Sequence, residues 1–176
     1  SEMCIRDRYL AMAMGSTKDS TFGSVLIDGL KDETLETRIA AIQALGMIEY
    51  KPAVKPMGDL IRKTDTETER LSATISLGMI GAKSAVPSLE RLLEDEQANI
   101  MWDAAIALAK MGVISGALII EGILDRVYLN QFKQVDPIEQ SRVLMVAINT
   151  ASILFDKRFE SKLTFLSKND RDLSIR

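Results

Sequence analysis

One offset constrains this chain more than any other feature. Arg38 opens the run RIAAIQALGMI; adding 32 reaches Arg70, which opens RLSATISLGMIG; adding 32 again reaches Trp102, which opens WDAAIALAKMG. The small residues coincide: Ala40 and Ala41, Ser72 and Ala73, Ala104 and Ala105. Leu45-Gly46 matches Leu77-Gly78, Ala53-Val54 matches Ala85-Val86, and Leu60-Ile61 matches Leu92-Leu93. Several independent columns agreeing at one offset define a structural repeat. A unit this short cannot bury its apolar face alone and must stack on its neighbours. The expected architecture is all-α, an α-solenoid of stacked antiparallel helical hairpins.

The repeat extends both ways. Ala13-Met14-Gly15 precedes Ala44-Leu45-Gly46 by 31, and Arg142 ahead of VLMVAINTASIL opens a divergent unit. Units are expected near 9–32, 33–64, 65–96, 97–126 and 136–170, with a further one starting at 171–176, where Leu173-Ser174-Ile175-Arg176 echoes Leu35-Glu36-Thr37-Arg38. Residues 125–134 interrupt the period. Each unit reads as helix, turn, helix. Ala41, Ala44, Leu45 and Ile48 stand at i, i+3, i+4 and i+7. Gly46, Gly78 and Gly112 suit left-handed positions closing first helices. Thr66 with Glu69 has capping-box spacing, and Asp136-Pro137-x-Glu139 marks another start. Pro52 and Pro87 fall in first turns of second helices, where a missing N–H costs little.

Residues 1–8, SEMCIRDR, resemble translated sequencing-adapter read-through at the end of a reading frame from environmental DNA; they are expected to be a non-native leader. With a partial unit at the far end, residues 9–176 are expected to be a solenoid fragment. Its ends would then expose apolar surface and self-associate.

Composition removes several chemistries. The chain has no histidine, hence no imidazole base, no imidazole metal ligand and no Ser-His or Cys-His pair. A single cysteine, Cys4, makes neither an intrachain disulfide nor a thiolate zinc site. Net charge is −3, which argues against a nucleic-acid partner; such a binder usually carries a basic stripe. Aromatics are 5%, so the core is aliphatic. No apolar run approaches the ~20 residues of a membrane span. Compartment is left open, the cytoplasm being the default.

The pattern carried by Arg38, Ala40, Ala41, Ala44, Leu45, Gly46 and Ile48, and again by Arg70, Ala73, Leu77, Gly78, Ile80, Ala85, Val86, Pro87 and Leu89, resembles the short bacterial HEAT repeats first described in phycobilin lyases. The fourth unit departs from it at Trp102 and Lys110. The resemblance implies an armadillo/HEAT-type superhelix whose second helices line a concave face. It implies a protein-binding scaffold or adaptor presenting a groove to a protein or peptide. The alternative is a bilin lyase-type accessory subunit or another HEAT-repeat enzyme subunit. HEAT-like hydroxylases bind iron through His-Glu motifs, which this chain lacks; HEAT-like DNA glycosylases need a basic, aromatic groove. No catalytic, cofactor or metal residue is expected.

Candidate partner-binding residues on second helices form two rows, Asp28, Asp59 and Arg91, then Lys31, Arg62 and Glu94, with Lys55 beside them. The same residues equally suit a solvated face of i,i+4 charge pairs. Arg38, Arg70, Arg142 and Arg176 recur at one repeat position and are expected to form an inter-repeat ladder with loop acids such as Asp32, Asp65 or Glu67; an anion-binding row is the other reading. Trp102 is either an interface anchor or a volume filler. The scattered methionines read as core rather than as a soft binding groove. The interruption at 126–133, with Tyr128 and Phe132, is either a functional loop or a cover for an apolar flank.

Overall fold

The computed structural model describes residues 2–172 and 174–176, the side chains of residues 2–4 excepted. The Cys4 side chain and Leu173 therefore lie outside the described part of the chain. The described residues contain helices and turns and no strand: α1 (Glu2–Ser16), α2 (Gly23–Gly29), α3 (Leu35–Met47), α4 (Val54–Ile61), α5 (Glu67–Ile80), α6 (Val86–Arg91), α7 (Ala98–Lys110), α8 (Ala117–Ile123), α9 (Arg126–Leu129), α10 (Pro137–Leu154) and α11 (Glu160–Asn169). First helices stack in order, α1 on α3 on α5 on α7 on α10. Second helices pack on the first helix of the following unit, α2 on α3, α4 on α5 and α6 on α7, while α8 packs on α7 of its own unit. This is an all-α solenoid. Helix α1 runs through the segment 2–8 that the sequence suggests is a leader.

The repeat explains the local structure. Ala40, Ala41, Ala44 and Leu45 of α3 are buried, as are Ala73 and Leu77 of α5, and Ala104, Ala105 and Leu108 of α7. A short 3-10 turn introduces each of α2, α4, α6, α8 and α11, at Ser20–Phe22, Lys51–Ala53, Lys83–Ala85, Ile114–Gly116 and Lys157–Phe159. The alanine ending the second and third of these, Ala53 and Ala85, is fully buried.

Two glycines do a different job from the one their spacing suggests. Gly46 and Gly78 lie inside α3 and α5, with no positive φ. A Cβ on Gly46 would sit 2.8 Å from Ser76, and one on Gly78 would sit 2.9 Å from Ala107. They let successive first helices approach closely. The left-handed position after α3 is taken by Glu49 (φ 51), after α5 by Gly81 (φ 59) and after α7 by Gly112 (φ 73). Behind Glu49, Tyr50 N–H donates to the Leu45 carbonyl at 3.1 Å; behind Gly112, Val113 N–H donates to the Leu108 carbonyl at 2.9 Å. Both are the six-to-one bond that satisfies an orphan carbonyl at a helix end. Gly46→Val is expected to overpack the α3–α5 contact and lower stability by about 1–3 kcal/mol, read from the urea midpoint at constant slope.

The Thr66–Glu69 capping box does not form. Thr66 is the N-cap of α5 but makes no side-chain cap bond, and the reciprocal bond is missing too: the Thr66 N–H donates to Thr64 Oγ1 at 3.1 Å, while the Glu69 carboxylate accepts from Arg38 and Thr64. Asp136 does cap α10, accepting from the Ile138 and Glu139 N–H groups at 2.8 and 3.0 Å, with Pro137 next.

The core has two parts that divide along α7. One packs Ile100, Ala104 and Leu108 against the preceding hairpins. The other packs Trp102, Ala105 and Ala109 against α8, Leu129 of α9, α10, Phe159 of the turn before α11 and Leu166 of α11.

Candidate functional site

The exposed charges of the second helices line a series of adjoining grooves. The first, of ≈ 750 Å³, runs between α2 and α4 and mixes apolar Ile27, Leu30, Pro56 and Leu60 with Lys31 and Asp59. The second, of ≈ 390 Å³, runs between α4 and α6 and holds Lys51, Lys55, Asp59, Arg62, Ser84 and Ser88. A small recess of ≈ 70 Å³ continues it to Pro87 and Arg91. The helices approach closely here, since a Cβ on Gly58 would lie 2.6 Å from Ser88 Oγ.

The predicted residues divide among these spaces. Lys31 and Asp59 meet in the first groove, Lys55, Asp59 and Arg62 in the second, and Arg91 joins through the recess. Asp28 instead lines a hollow of ≈ 320 Å³ against α1, with Leu10 and Val25. Glu94 stands exposed outside all three grooves, in the 3-10 turn after α6. Two pairs are local: Lys31 Nζ donates to Asp28 at 3.2 Å, and Arg62 pairs with Asp59. Lys51, Lys55 and Arg91 make no ion pair among the described residues.

The arginines behave differently from one another. Arg38 Nε donates to Glu69 at 2.5 Å, while its Nη1 donates to the Asp32 and Glu33 carbonyls at 2.9 and 3.2 Å. Its carboxylate partner thus comes from the next first helix and not from the loop acids; of Asp32 it takes the backbone oxygen. Thr64 donates a further bond to Glu69. Arg70 pairs with Asp95, Nε to Oδ2 at 3.0 Å, and Asp95 also caps the turn by accepting from Gln97 N–H. Asp65 and Glu67, expected as partners, take no part in these pairs. Arg142 is a clear departure: it pairs with Glu139 in its own helix, at 2.5 Å, on an exposed face. The residue that ties this region together is Arg126, which the period does not mark. Its Nε and Nη2 donate to the Asp170 carboxylate at 2.9 and 3.0 Å, and its Nη1 to Ser141 Oγ at 3.1 Å. The guanidinium holds the Asp170 carboxyl below its ordinary range. Arg176 closes on the same residue, donating to the Asp170 carbonyl at 2.6 Å.

The interrupting segment covers an apolar flank. Phe132 meets Trp102 and Tyr128 edge-on, each at 5.0 Å between centroids. Trp102 is 1% exposed, so it fills core volume and offers no anchor to a partner. Its Nε1–H has no hydrogen-bond partner among the described residues. A groove of ≈ 630 Å³ between α9 and α11 holds Asp125, Lys162 and Phe165 around the Arg126–Asp170 pair. Asp103 was not singled out by its sequence position. Burial against α10 pushes its carboxyl up to about 6, against the pull of Arg142.

Among the described residues, no three His, Cys, Asp or Glu side chains converge as a metal site. No described helix is long and apolar enough to cross a membrane.

The stacked hairpins and their repeat agree with comparison to known proteins. The family model for HEAT repeats matches residues 6–78 and 54–121, more than half of the chain. The chain belongs to the HEAT-repeat family, and its architecture is that of a helical scaffold. Among solved structures it is similar to the complex of CpcE and CpcF of phycocyanin lyase from Nostoc sp. PCC7120, with 23% identity and a TM-score of 0.68. That alignment covers 96% of this chain and spans 66% of the other. At this identity the likeness speaks to fold. No curated protein matches the sequence.

Proposed function

We propose that the chain is a protein-binding scaffold whose second-helix face, the concave side of the solenoid, receives a protein or peptide partner. The observation that carries this reading is the pair of adjoining grooves from α2 to α6, lined by Lys31, Lys55, Asp59 and Arg62. The first helices stack closely through small residues and expose Gln43, Ile75 and Met79, whereas the second-helix side leaves its charges to solvent. A surface of this kind binds by complementarity over several side chains. A photo-crosslinking amino acid placed at Lys55 is expected to give discrete protein adducts in living cells, whereas one at Gln43, exposed on α3, gives none. Equal labelling from both sites, or from neither, sinks the proposal.

The likeness to the phycocyanin lyase complex favours a second reading, an accessory subunit of a bilin lyase. In that case mixing the chain with free bilin shifts the chromophore's absorbance. An unchanged spectrum removes it.

A further inference from the structure

We infer that the occupant of the second-helix face is an acidic protein segment bearing an apolar side chain beside its carboxylates. This rests on the scaffold reading and names the chemistry of its partner. The two grooves differ in character. Between α2 and α4 the lining is mixed: apolar Ile27, Leu30, Pro56 and Leu60 stand beside Lys31, Lys63, Asp59 and Asp65 and the Arg38–Glu69 pair, with room of ≈ 750 Å³ in which the apolar residues can seat a side chain. Between α4 and α6 it is cationic: Lys51, Lys55 and Arg62 line the groove and Arg91 the recess beyond.

The one carboxylate among them, Asp59, is already held by Arg62. Lys51, Lys55 and Arg91 have no ion pair among the described residues, so the groove carries uncompensated positive charge on a chain of net charge −3. Such a patch attracts carboxylates, and the Ser84 and Ser88 hydroxyls beside it can donate to them. Asp59 lines both spaces, so one extended segment crossing α4 reaches the apolar seat and the basic one together.

Nucleic acid fits less well. Single strands are gripped by aromatic stacking along a basic track, and neither the basic groove nor its recess contains an aromatic residue.

The test is fluorescence anisotropy with a labelled peptide of two leucines followed by a run of glutamates. Its lysine counterpart and a single-stranded oligonucleotide serve as comparison probes. The glutamate peptide is expected to bind at low salt and weaken as salt screens the charges. The double variant Lys55→Glu/Arg91→Glu should lose about tenfold in affinity, and the uncharged Leu60→Asn should weaken binding while leaving its salt dependence intact. Lys168→Glu, an exposed change on α11, should leave binding unchanged. Circular dichroism checks that each variant is folded. Absence of glutamate-peptide binding, equal loss in Lys168→Glu, or preference for the oligonucleotide overturns the inference. Crosslinking at Lys55 without glutamate-peptide binding would refute the acidic chemistry alone and leave the scaffold reading standing.

Discussion

Replacing Arg38 by methionine is expected to cost about 3–5 kcal/mol, the range for breaking one side of a buried ion pair. Glu69 supplies the reason. Its side chain is 3% exposed, and Arg38 is the cation that reaches it, at 2.5 Å. Without the guanidinium, a carboxylate sits in the interface between α3 and α5 with the Thr64 hydroxyl as its remaining donor. Arg38 also donates to the Asp32 and Glu33 carbonyls, so the turn before α3 loosens as well. The double variant Arg38→Met/Glu69→Leu should recover most of the loss, because the desolvation of both charges disappears with the pair. Recovery stays incomplete, since the two carbonyls are still left without their donor. Chemical denaturation of the two single variants and the double variant gives the coupling directly. A double variant as unstable as the sum of the singles would show that the pair contributes nothing as a pair. Arg142→Met is the natural contrast. Its bond to Glu139 is an exposed i,i+3 pair, and such pairs contribute about 0.5 kcal/mol or less.

That contrast also shows where the sequence was informative. The offset of 32 exposed the hairpins because each unit repeats the same burial problem: Ala41, Ala73 and Ala105 are all buried. The ion pairs keep no such offset. Arg38 finds its acid 31 residues on, Arg70 finds its own 25 on, and Arg126 reaches 44. An arginine at a fixed repeat position can take its carboxylate from the next helix or from the loop before it. Which one it takes depends on where an acid happens to be buried. Arg142 occupies the repeat position without the role, because the interruption at 125–134 brings Arg126 to Asp170 instead. Gly46 and Gly78 misled for a related reason. Proximity to a helix end suggests a left-handed residue, whereas the operative constraint is the neighbouring helix 2.8–2.9 Å from a virtual Cβ. The grooves were legible as rows of charge on second helices, but not which charges stay unpaired.

Stability should fall as pH rises from about 5 to about 6, and Asp103 is the expected cause. Its carboxyl is raised from 3.8 to about 6, first by burial and then by the nearby Glu139, with Arg142 and Lys110 pulling the other way. Below pH 3.8 the group is protonated in both folded and unfolded chains and contributes no difference. Between 3.8 and 6 the unfolded chain releases the proton while the folded chain keeps it, so folding is progressively penalised. Above 6 the penalty is full, about 3 kcal/mol for a shift of this size, as an order of magnitude. The carboxylates with lowered values act in the opposite sense. Asp170, held by Arg126, Asp125, held by Lys162, and Glu139, held by Arg142, add stability above their ordinary values and lose it in stronger acid. Their windows lie lower, so the interval from pH 5 to 7 belongs to Asp103. The absence of histidine keeps that interval clear of the side chain that usually titrates there. Asp103→Asn should therefore flatten the profile between pH 5 and 7 and raise stability at pH 7 by up to about 3 kcal/mol. The loss of attraction to Arg142 takes back part of this, although Glu139 still holds that guanidinium. Urea midpoints of parent and variant at pH 5 and at pH 7 decide the matter. Parallel profiles in the two proteins would assign the pH dependence to another group, while a variant less stable at pH 7 would mean that the Asp103 carboxylate is stabilised in the fold and that its burial is overcome by Arg142.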